Sequence, residues 1–203
     1  MPVGPHPLPW PTDPRLDPDL LAHGDARNVV DAYRYWTVEA ILADLDSRRR
    51  PLHVAVENLE HDLNIGSIVR TANAFNVAGV HIVGRRRWNR RGAMVTDAYL
   101  HITYHPELAD LQHWARAGGL PVLAVDVVPG AVPIEGHRMP AACVLLFGQE
   151  GPGLSPQALA GADSVLSITQ HGSTRSINVA AAAAIAMHEW SRAHRAGNDR
   201  DPG

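Results

Sequence analysis

Two glycine-rich turns in the carboxyl-terminal part of the 203-residue chain have the composition of a ligand site. They span residues 147–155 and 170–178, and each follows a short apolar stretch, 143–147 and 165–168, that is typical of a buried strand. Each turn ends where a helix should begin. Backbone N–H groups at a helix start have no partner within the helix and can hold a ligand. We therefore expect one pocket that is built from both turns.

The polar side chains of these turns are candidates for chemistry, but each also has an ordinary structural interpretation. Glu150 could be a simple turn carboxylate. Ser176 and Asn178 could only cap the helix that follows, in which five alanines succeed Val179. The combination of residues therefore carries more information than any one of them.

A third candidate pair lies earlier, in a segment with helical periodicity from residue 64 to residue 75. Its apolar residues share one face: Ile65, Ile68, Val69, Ala72 and Phe75. At about 100° per residue, Arg70 lies almost opposite that face, and Asn64 stands at the helix start as a good cap. A helix cap and a solvated arginine would also explain this pair.

A local basic run contrasts with the formal net charge of −3. Its arginines are Arg85, Arg86, Arg87, Arg90 and Arg91, with Trp88 among them, and a second cluster occupies residues 48–50. A basic patch is what contact with phosphate groups requires, and Trp88 favours stacking on a base or ribose. A solvated loop is the alternative.

Several other functional classes lack their signature in this sequence. The 12 histidines include no HExxH pair, so no metal site is predicted. A Gly-x-Ser-x-Gly elbow, a dinucleotide fingerprint and a phosphate loop are also missing. Cys143 is the single cysteine, which excludes an internal disulfide, and we see neither a membrane span nor a secretory signal. A cytoplasmic protein is expected.

The order of elements predicts an α/β fold with a mostly parallel sheet covered by helices on both faces. Predicted strands occupy residues 52–56, 80–83, 100–104, 121–128, 143–147 and 165–168, with helices over 64–75, 107–117 and 179–194. We divide the chain into a proline-rich flexible tail (1–24), an amino-terminal helical extension (25–50), the main domain (51–195) and a frayed tail (196–203). Thr37 is the expected cap of a helix in the extension.

In combination, these residues resemble the three motifs of the SpoU/TrmH family, RNA 2′-O-ribose methyltransferases of the SPOUT class. The first motif corresponds to Asn64 with Arg70, the second to the turn that contains Glu150, and the third to residues 175–178. The motifs occur in the family's order, and the similarity extends over about residues 50–193.

The resemblance implies a fold with a carboxyl-terminal trefoil knot, S-adenosylmethionine bound in the knot, and a homodimer in which the catalytic arginine lies close to the partner's cofactor pocket. The cofactor positions that it implies are Val125, Gly148, Ile168, Ser176 and Ile177. The catalytic positions are Asn64, Arg70, Glu150, Ser176 and Asn178. Contacts to RNA are expected from Arg85, Arg86, Arg87, Arg90, Arg91 and Arg175.

The implied activity is methyl transfer to a ribose 2′-hydroxyl of RNA, with transfer RNA favoured over ribosomal RNA because the turn at 170–178 looks like members that modify transfer RNA. Arg70 would either take the hydroxyl proton with the help of a substrate phosphate or only grip that phosphate. Two alternatives to the activity remain: an RNA-binding protein of this fold without turnover, and an enzyme of this fold that methylates a base or a small molecule.

Overall fold

A seven-stranded sheet forms the centre of the computed structural model, which describes residues 2–58, 64–149 and 153–194. Its strands are β1 (Arg50–Asn58), β2 (Val77–Gly84), β3 (Ile102–His105), β4 (Val122–Val125), β5 (Val132–Pro133), β6 (Cys143–Phe147) and β7 (Ser164–Ser167). They lie in the order β3-β2-β1-β6-β4-β7-β5, and every neighbouring pair is parallel. The predicted parallel α/β fold is confirmed. Strand order does not define threading, so the trefoil knot stays a prediction.

Helices cover both faces of the sheet. They are α1 (Pro18–His23), α2 (Val38–Asp46), α3 (Asn64–Ala74), α4 (Leu108–Ala117), α5 (Pro156–Ala160) and α6 (Val179–Ala193), with short 3₁₀ helices at Asp31–Tyr33, Arg90–Ala93 and Thr96–Tyr99. The pairs α3/α6 and α4/α5 pack on opposite faces. None of the helices in the described ranges is long and apolar enough to cross a membrane.

The central strand β6 shows why the sequence folds as a covered sheet. Leu145 and Phe147 belong to the core beneath α3 and α6, whereas Val144 and Leu146 belong to the core beneath α4 and α5. All four side chains are fully buried. Because successive strand residues point to opposite faces, a strand between two helical layers must be apolar at every position.

Helix α3 follows the predicted periodicity. The stripe residues within α3 (Ile65, Ile68, Val69 and Ala72) are fully buried, and Phe75, just after the helix, is partly buried. Arg70 on the opposite side is exposed. The helix also receives the arginine-rich loop: a Cβ added at Gly66 would lie 2.9 Å from both Ala93 N and Asn89 O. Only a glycine therefore allows this loop to seat against the first half of α3.

The amino-terminal segment differs from the flexible tail and helical extension that its composition predicts. Val3 pairs with Asp25 through two backbone hydrogen bonds of 2.9 Å, and the fully buried Asp25 carboxylate accepts from Arg27 at 2.8 Å. Leu21 of α1 is buried, whereas most side chains of residues 2–20 are exposed. Within residues 25–50 the only α-helix is α2, whose expected cap is confirmed, since Thr37 Oγ1 accepts from Ala40 N at 3.1 Å.

A chain of histidines lies beneath α4, away from the glycine-rich turns. The ring nitrogens of His53 and His81 share a hydrogen bond (Nδ1 to Nε2, 3.1 Å), and those of His81 and His105 share another (2.9 Å). The Trp114 ring packs 4.1 Å from the His81 ring. Burial, reinforced by the two neighbouring histidines, lowers the pKa of His81 to about 3, so this ring is neutral at physiological pH.

Candidate functional site: a cavity between two glycine-rich turns

A cavity of about 510 Å³ opens at the carboxyl edge of the sheet, between the two glycine-rich turns and the start of α6. Val125 ends β4, Phe147 ends β6, and Ile168 directly follows β7; all three line the cavity. Ligands of open parallel sheets bind in crevices outside the carboxyl ends of the strands. The position therefore has the character of a binding site.

The cofactor positions implied by the sequence come together here. Val125, Gly148, Ile168, Ser176 and Ile177 all line this one cavity, although they come from four separate stretches of the chain. Their contact with a cofactor stays a prediction.

The first turn is closed on itself by backbone hydrogen bonds. Gln149 N donates to Gly153 O at 3.1 Å, and Gly153 N donates to Gln149 O at 3.2 Å. A Cβ added at Gly148 would lie 2.2 Å from Gly153 C and 2.4 Å from Leu154 N. No side chain fits there, so the bare backbone of Gly148 forms the cavity wall.

Two carboxylates at or near the ends of β1 and β4 accept hydrogen bonds from the end of this turn. Asp126, next to the end of β4, accepts from Leu154 N at 2.8 Å and itself lines the cavity. Glu57, near the end of β1, accepts from Ser155 N at 2.8 Å and from Ser155 Oγ at 2.7 Å. Sequence reasoning missed both residues. The available signal was an acidic residue at the end of each of two buried apolar strands.

The side chain of Asn178 makes two kinds of hydrogen bond. Its Oδ1 accepts from Ala180 N at 2.9 Å and caps α6, which is the ordinary role considered above. Its Nδ2 also donates to Asn64 Oδ1 at 2.9 Å. The first and third motifs therefore meet at the adjoining starts of α3 and α6, and Asn178 and Ser176 line the cavity beside them.

Arg70 lies apart from these groups. Six residues along α3 correspond to about 9 Å of rise and about 120° of rotation from Asn64. Within the described ranges, its exposed guanidinium makes no hydrogen bond or ion pair, and Arg70 does not line the cavity. Glu150, the remaining predicted catalytic residue, lies outside the described residues.

The arginine-rich loop presents its charged side chains to solvent, as an RNA-contacting surface requires. The exposed residues are Arg85, Arg86, Arg87, Arg90 and Arg91, and Arg175 in the second turn is also exposed. Arg90 pairs with Asp97 at 3.3 Å, and the Arg86 guanidinium lies 4.8 Å from the Tyr104 ring centre.

The expectation that Trp88 stacks on a base or ribose is wrong. Its side chain is only 8% exposed and belongs to the core beneath α3 and α6. The indole anchors the arginine-rich loop to the domain, because burying so large an apolar surface is favourable wherever the fold offers space.

The single cysteine of the chain is chemically inert. Cys143 is fully buried in β6, and burial raises the pKa of its thiol to about 12. A thiol in that environment does not ionise at neutral pH and cannot attack a substrate.

Comparison with known proteins places these features in a family. A model of the SpoU rRNA Methylase family matches residues 51–188. The tRNA (guanosine(18)-2′-O)-methyltransferase of Escherichia coli is 29% identical over 157 residues, which cover 75% of this chain and 69% of that protein. An uncharacterized tRNA/rRNA methyltransferase of Mycolicibacterium vanbaalenii is 33% identical, over 90% of this chain and 61% of its own length.

A solved structure agrees with these relatives. The AdoMet-bound rRNA methyltransferase from Sinorhizobium meliloti superposes with a TM-score of 0.64 at 28% identity, over 74% of this chain and 59% of that one. This chain thus spans less than two thirds of the Mycolicibacterium relative and of the Sinorhizobium structure. The family match covers β1 to α6 almost entirely, including the cavity, both turns and the Asn64–Asn178 contact. The chain belongs to the SpoU rRNA Methylase family.

Proposed function

We propose that this protein transfers a methyl group from S-adenosylmethionine to the 2′-hydroxyl of a ribose in RNA. The observation that carries the proposal is the cavity at the carboxyl edge of the sheet, where the family's glycine-rich turns and the Asn64–Asn178 contact meet. When bound, S-adenosylmethionine supplies an activated methyl group, so that the protein's main task is to bind and orient.

The residues present fit this cofactor. A volume of about 510 Å³ lies within the usual range for small-molecule sites, about 300–1,000 Å³. Val125, Phe147 and Ile168 provide apolar walls, whereas Asp126 and Ser176 provide polar groups. The bare backbone at Gly148 allows close approach of a ligand. We assign cofactor contacts to Val125, Gly148, Ile168, Ser176 and Ile177.

The hydroxyl must lose a proton as the new bond forms, and Arg70 is our candidate for assisting that loss. Arginine is a poor base by itself, because its pKa lies above about 12. Its planar fork binds a phosphate bidentately, and that substrate phosphate either helps Arg70 to take the proton or is only held in place by it. Asn64, Ser176 and Asn178 are neutral groups that orient the ribose or the arginine.

We propose a homodimer because the two halves of the site are separated within one chain. Arg70 is exposed and lies outside the cavity wall of its own chain. The resemblance puts the catalytic arginine near the partner's cofactor pocket, an arrangement that would bring Arg70 to a bound methyl donor. Glu150 would act beside it in the second motif.

Transfer RNA is the substrate we favour over ribosomal RNA. The E. coli relative is named as a transfer RNA enzyme, and the turn at 170–178 resembles members that act on transfer RNA. The exposed arginines of the loop at 85–91, with Arg175, supply a surface for phosphate contacts. This substrate also supports a cytoplasmic location.

A methyl-transfer assay tests the proposal. The protein is incubated with tritiated S-adenosylmethionine and, separately, with purified transfer RNA and ribosomal RNA. We expect label in the transfer RNA fraction. RNA binding without transfer to either pool would support the non-catalytic alternative and contradict the proposal.

A mixing experiment tests the dimer. Arg70→Ala and Gly148→Leu are each expected to be inactive, for different reasons. If the arginine of one protomer serves the pocket of the other, heterodimers formed by refolding the two variants together contain one intact site. Recovered methyl transfer supports this arrangement, and continued inactivity of a verified heterodimer contradicts it.

A further inference from the structure

We infer that Glu57 is a positioning residue, which fixes the cofactor-binding turn through Ser155. The inference rests on the proposed function, since it concerns the same cavity. Glu57 is only 2% exposed, yet it is a carboxyl group with two separate acceptor oxygens. A buried carboxylate is costly unless it is hydrogen-bonded, so its partners define its role.

Among the described residues, both hydrogen-bond donors to Glu57 belong to Ser155, at the end of the turn that forms one cavity wall. Oε2 accepts from Ser155 N at 2.8 Å, and Oε1 accepts from Ser155 Oγ at 2.7 Å. The same hydroxyl accepts from Ala158 N at 3.1 Å and caps α5. One carboxylate therefore fixes both the end of the turn and the start of the next helix.

The position of Glu57 in β1 explains how this contact bears on the cavity. Val56, its neighbour in β1, pairs with Phe147, the residue from which the turn departs. The start of the turn is thus fixed by strand pairing at Phe147, and its end is fixed by the hydrogen bonds between Ser155 and Glu57. Asp126 adds a third tie at Leu154 N.

The turn has little freedom to compensate for losing one of these ties. The backbone of Gly148 already lies so close to Gly153 that a Cβ would come within 2.2 Å of it. Without Glu57, Ser155 N loses its acceptor and must move to find water, which shifts Leu154 and Gly153 in the cavity wall. Cofactor affinity is the property that this shift should change.

Isothermal titration with S-adenosylhomocysteine tests the inference on the full chain. Glu57→Met keeps the size of the side chain but has no acceptor oxygen, and it should raise the Kd about tenfold. Glu57→Gln should restore most of the affinity, because its Oε1 can accept from Ser155 N while its Nε2 donates to Ser155 Oγ. Ser155→Ala retains the backbone contact and should raise the Kd about threefold.

The matched control is Thr37→Ala, which removes an equivalent cap from α2 without touching the cavity. It should lower the melting temperature and leave the Kd unchanged. An equal rise of the Kd in Thr37→Ala and Glu57→Met would show a general effect of lost stability and overturn the inference.

The remaining outcomes separate the inference from the proposed function. If the wild-type protein does not bind S-adenosylhomocysteine, the proposed function fails. If the wild type binds and Glu57→Met binds equally well, the positioning role fails while the function stands. Should Glu57→Met not fold, Ser155→Ala decides, and a wild-type Kd in that variant overturns the inference.

Discussion

Replacing Gly148 by alanine is the smallest change that should distort the cavity wall. The added Cβ would lie 2.2 Å from Gly153 C, 2.3 Å from Gly153 O and 2.4 Å from Leu154 N. Ordinary van der Waals contacts of a Cβ begin at 3.4 Å, so the opposing backbone must retreat by about 1 Å. Overpacking of this kind costs about 1–3 kcal/mol of stability.

Cofactor binding should suffer more than stability. The atoms that must retreat belong to the cavity wall, and the loss of contacts worth about 2–3 kcal/mol raises a Kd about 10²-fold. We therefore expect Gly148→Ala to weaken S-adenosylmethionine binding about 100-fold by calorimetry, while the protein still unfolds cooperatively. Gly148→Leu should abolish binding.

Gly172→Ala is the matched control in the second turn. A Cβ added at Gly172 has no neighbour within 4 Å, and this residue does not line the cavity. Its affinity should stay within about twofold of wild type. Wild-type affinity in Gly148→Ala would show that the cofactor binds elsewhere.

Three further predictions concern residues outside the cofactor wall. Arg70→Ala should keep the fold, the proposed dimer and the cofactor affinity but slow single-turnover methyl transfer by about 10²–10⁴-fold. Arg70→Lys should recover little activity, because lysine lacks the planar fork of arginine. Near wild-type turnover in Arg70→Ala would mean that Arg70 is only a solvated surface residue. Replacing Arg85 and Arg91 together by alanine should weaken RNA binding. The slope of log K against log salt concentration should become shallower by up to about two units. An unchanged slope would mean that the loop faces away from the RNA. The buried, neutral His81 has a pKa of about 3, below its ordinary value of 6.5. Between these two pH values the histidine binds a proton in the unfolded chain but not in the folded chain. The free energy of unfolding therefore decreases as the pH falls from 6.5 towards 3. The wild-type protein should lose free energy of unfolding between pH 7 and pH 5, and urea unfolding should show that this loss is about 2 kcal/mol smaller in His81→Gln. Equal losses in the wild type and in His81→Gln would contradict the assignment of this pH dependence to His81.

Local sequence pattern predicted the parts of the fold that depend on periodicity alone. Strand β6 was predicted with its observed bounds because it is apolar at every position, and α3 was predicted because its buried stripe repeats at helical spacing. The cap at Thr37 was predicted for a similar reason, since capping needs only the next three residues.

Features that depend on distant contacts were missed. Trp88 lies among arginines in the sequence, which favours an exposed position. Its burial in the core beneath α3 shows that it anchors the loop instead. The bonds from Ser155 to Glu57 join residues 98 positions apart, a pairing that no local pattern contains. The helical extension that we predict for residues 25–50 did not include the extended bridge that pairs Trp36 with Leu16.

The candidate site shows the same division. The residue types and the order of the three motifs can be identified in the sequence, and the five predicted cofactor positions line one cavity. The carboxylate supports at Glu57 and Asp126, and the separation of Arg70 from that cavity, follow from how strands and helices pack. Those relations exist only in the folded chain.

Nucleoside analysis of the methylated RNA distinguishes transfer to the ribose from transfer to the base. Transfer RNA is incubated with the protein and S-adenosylmethionine, digested to nucleosides and examined by mass spectrometry, with Arg70→Ala as the inactive control. Ribose methylation predicts a new nucleoside whose extra methyl group stays with the sugar when the glycosidic bond breaks. A methyl group found on the base, or no methylated nucleoside at all, would contradict the account.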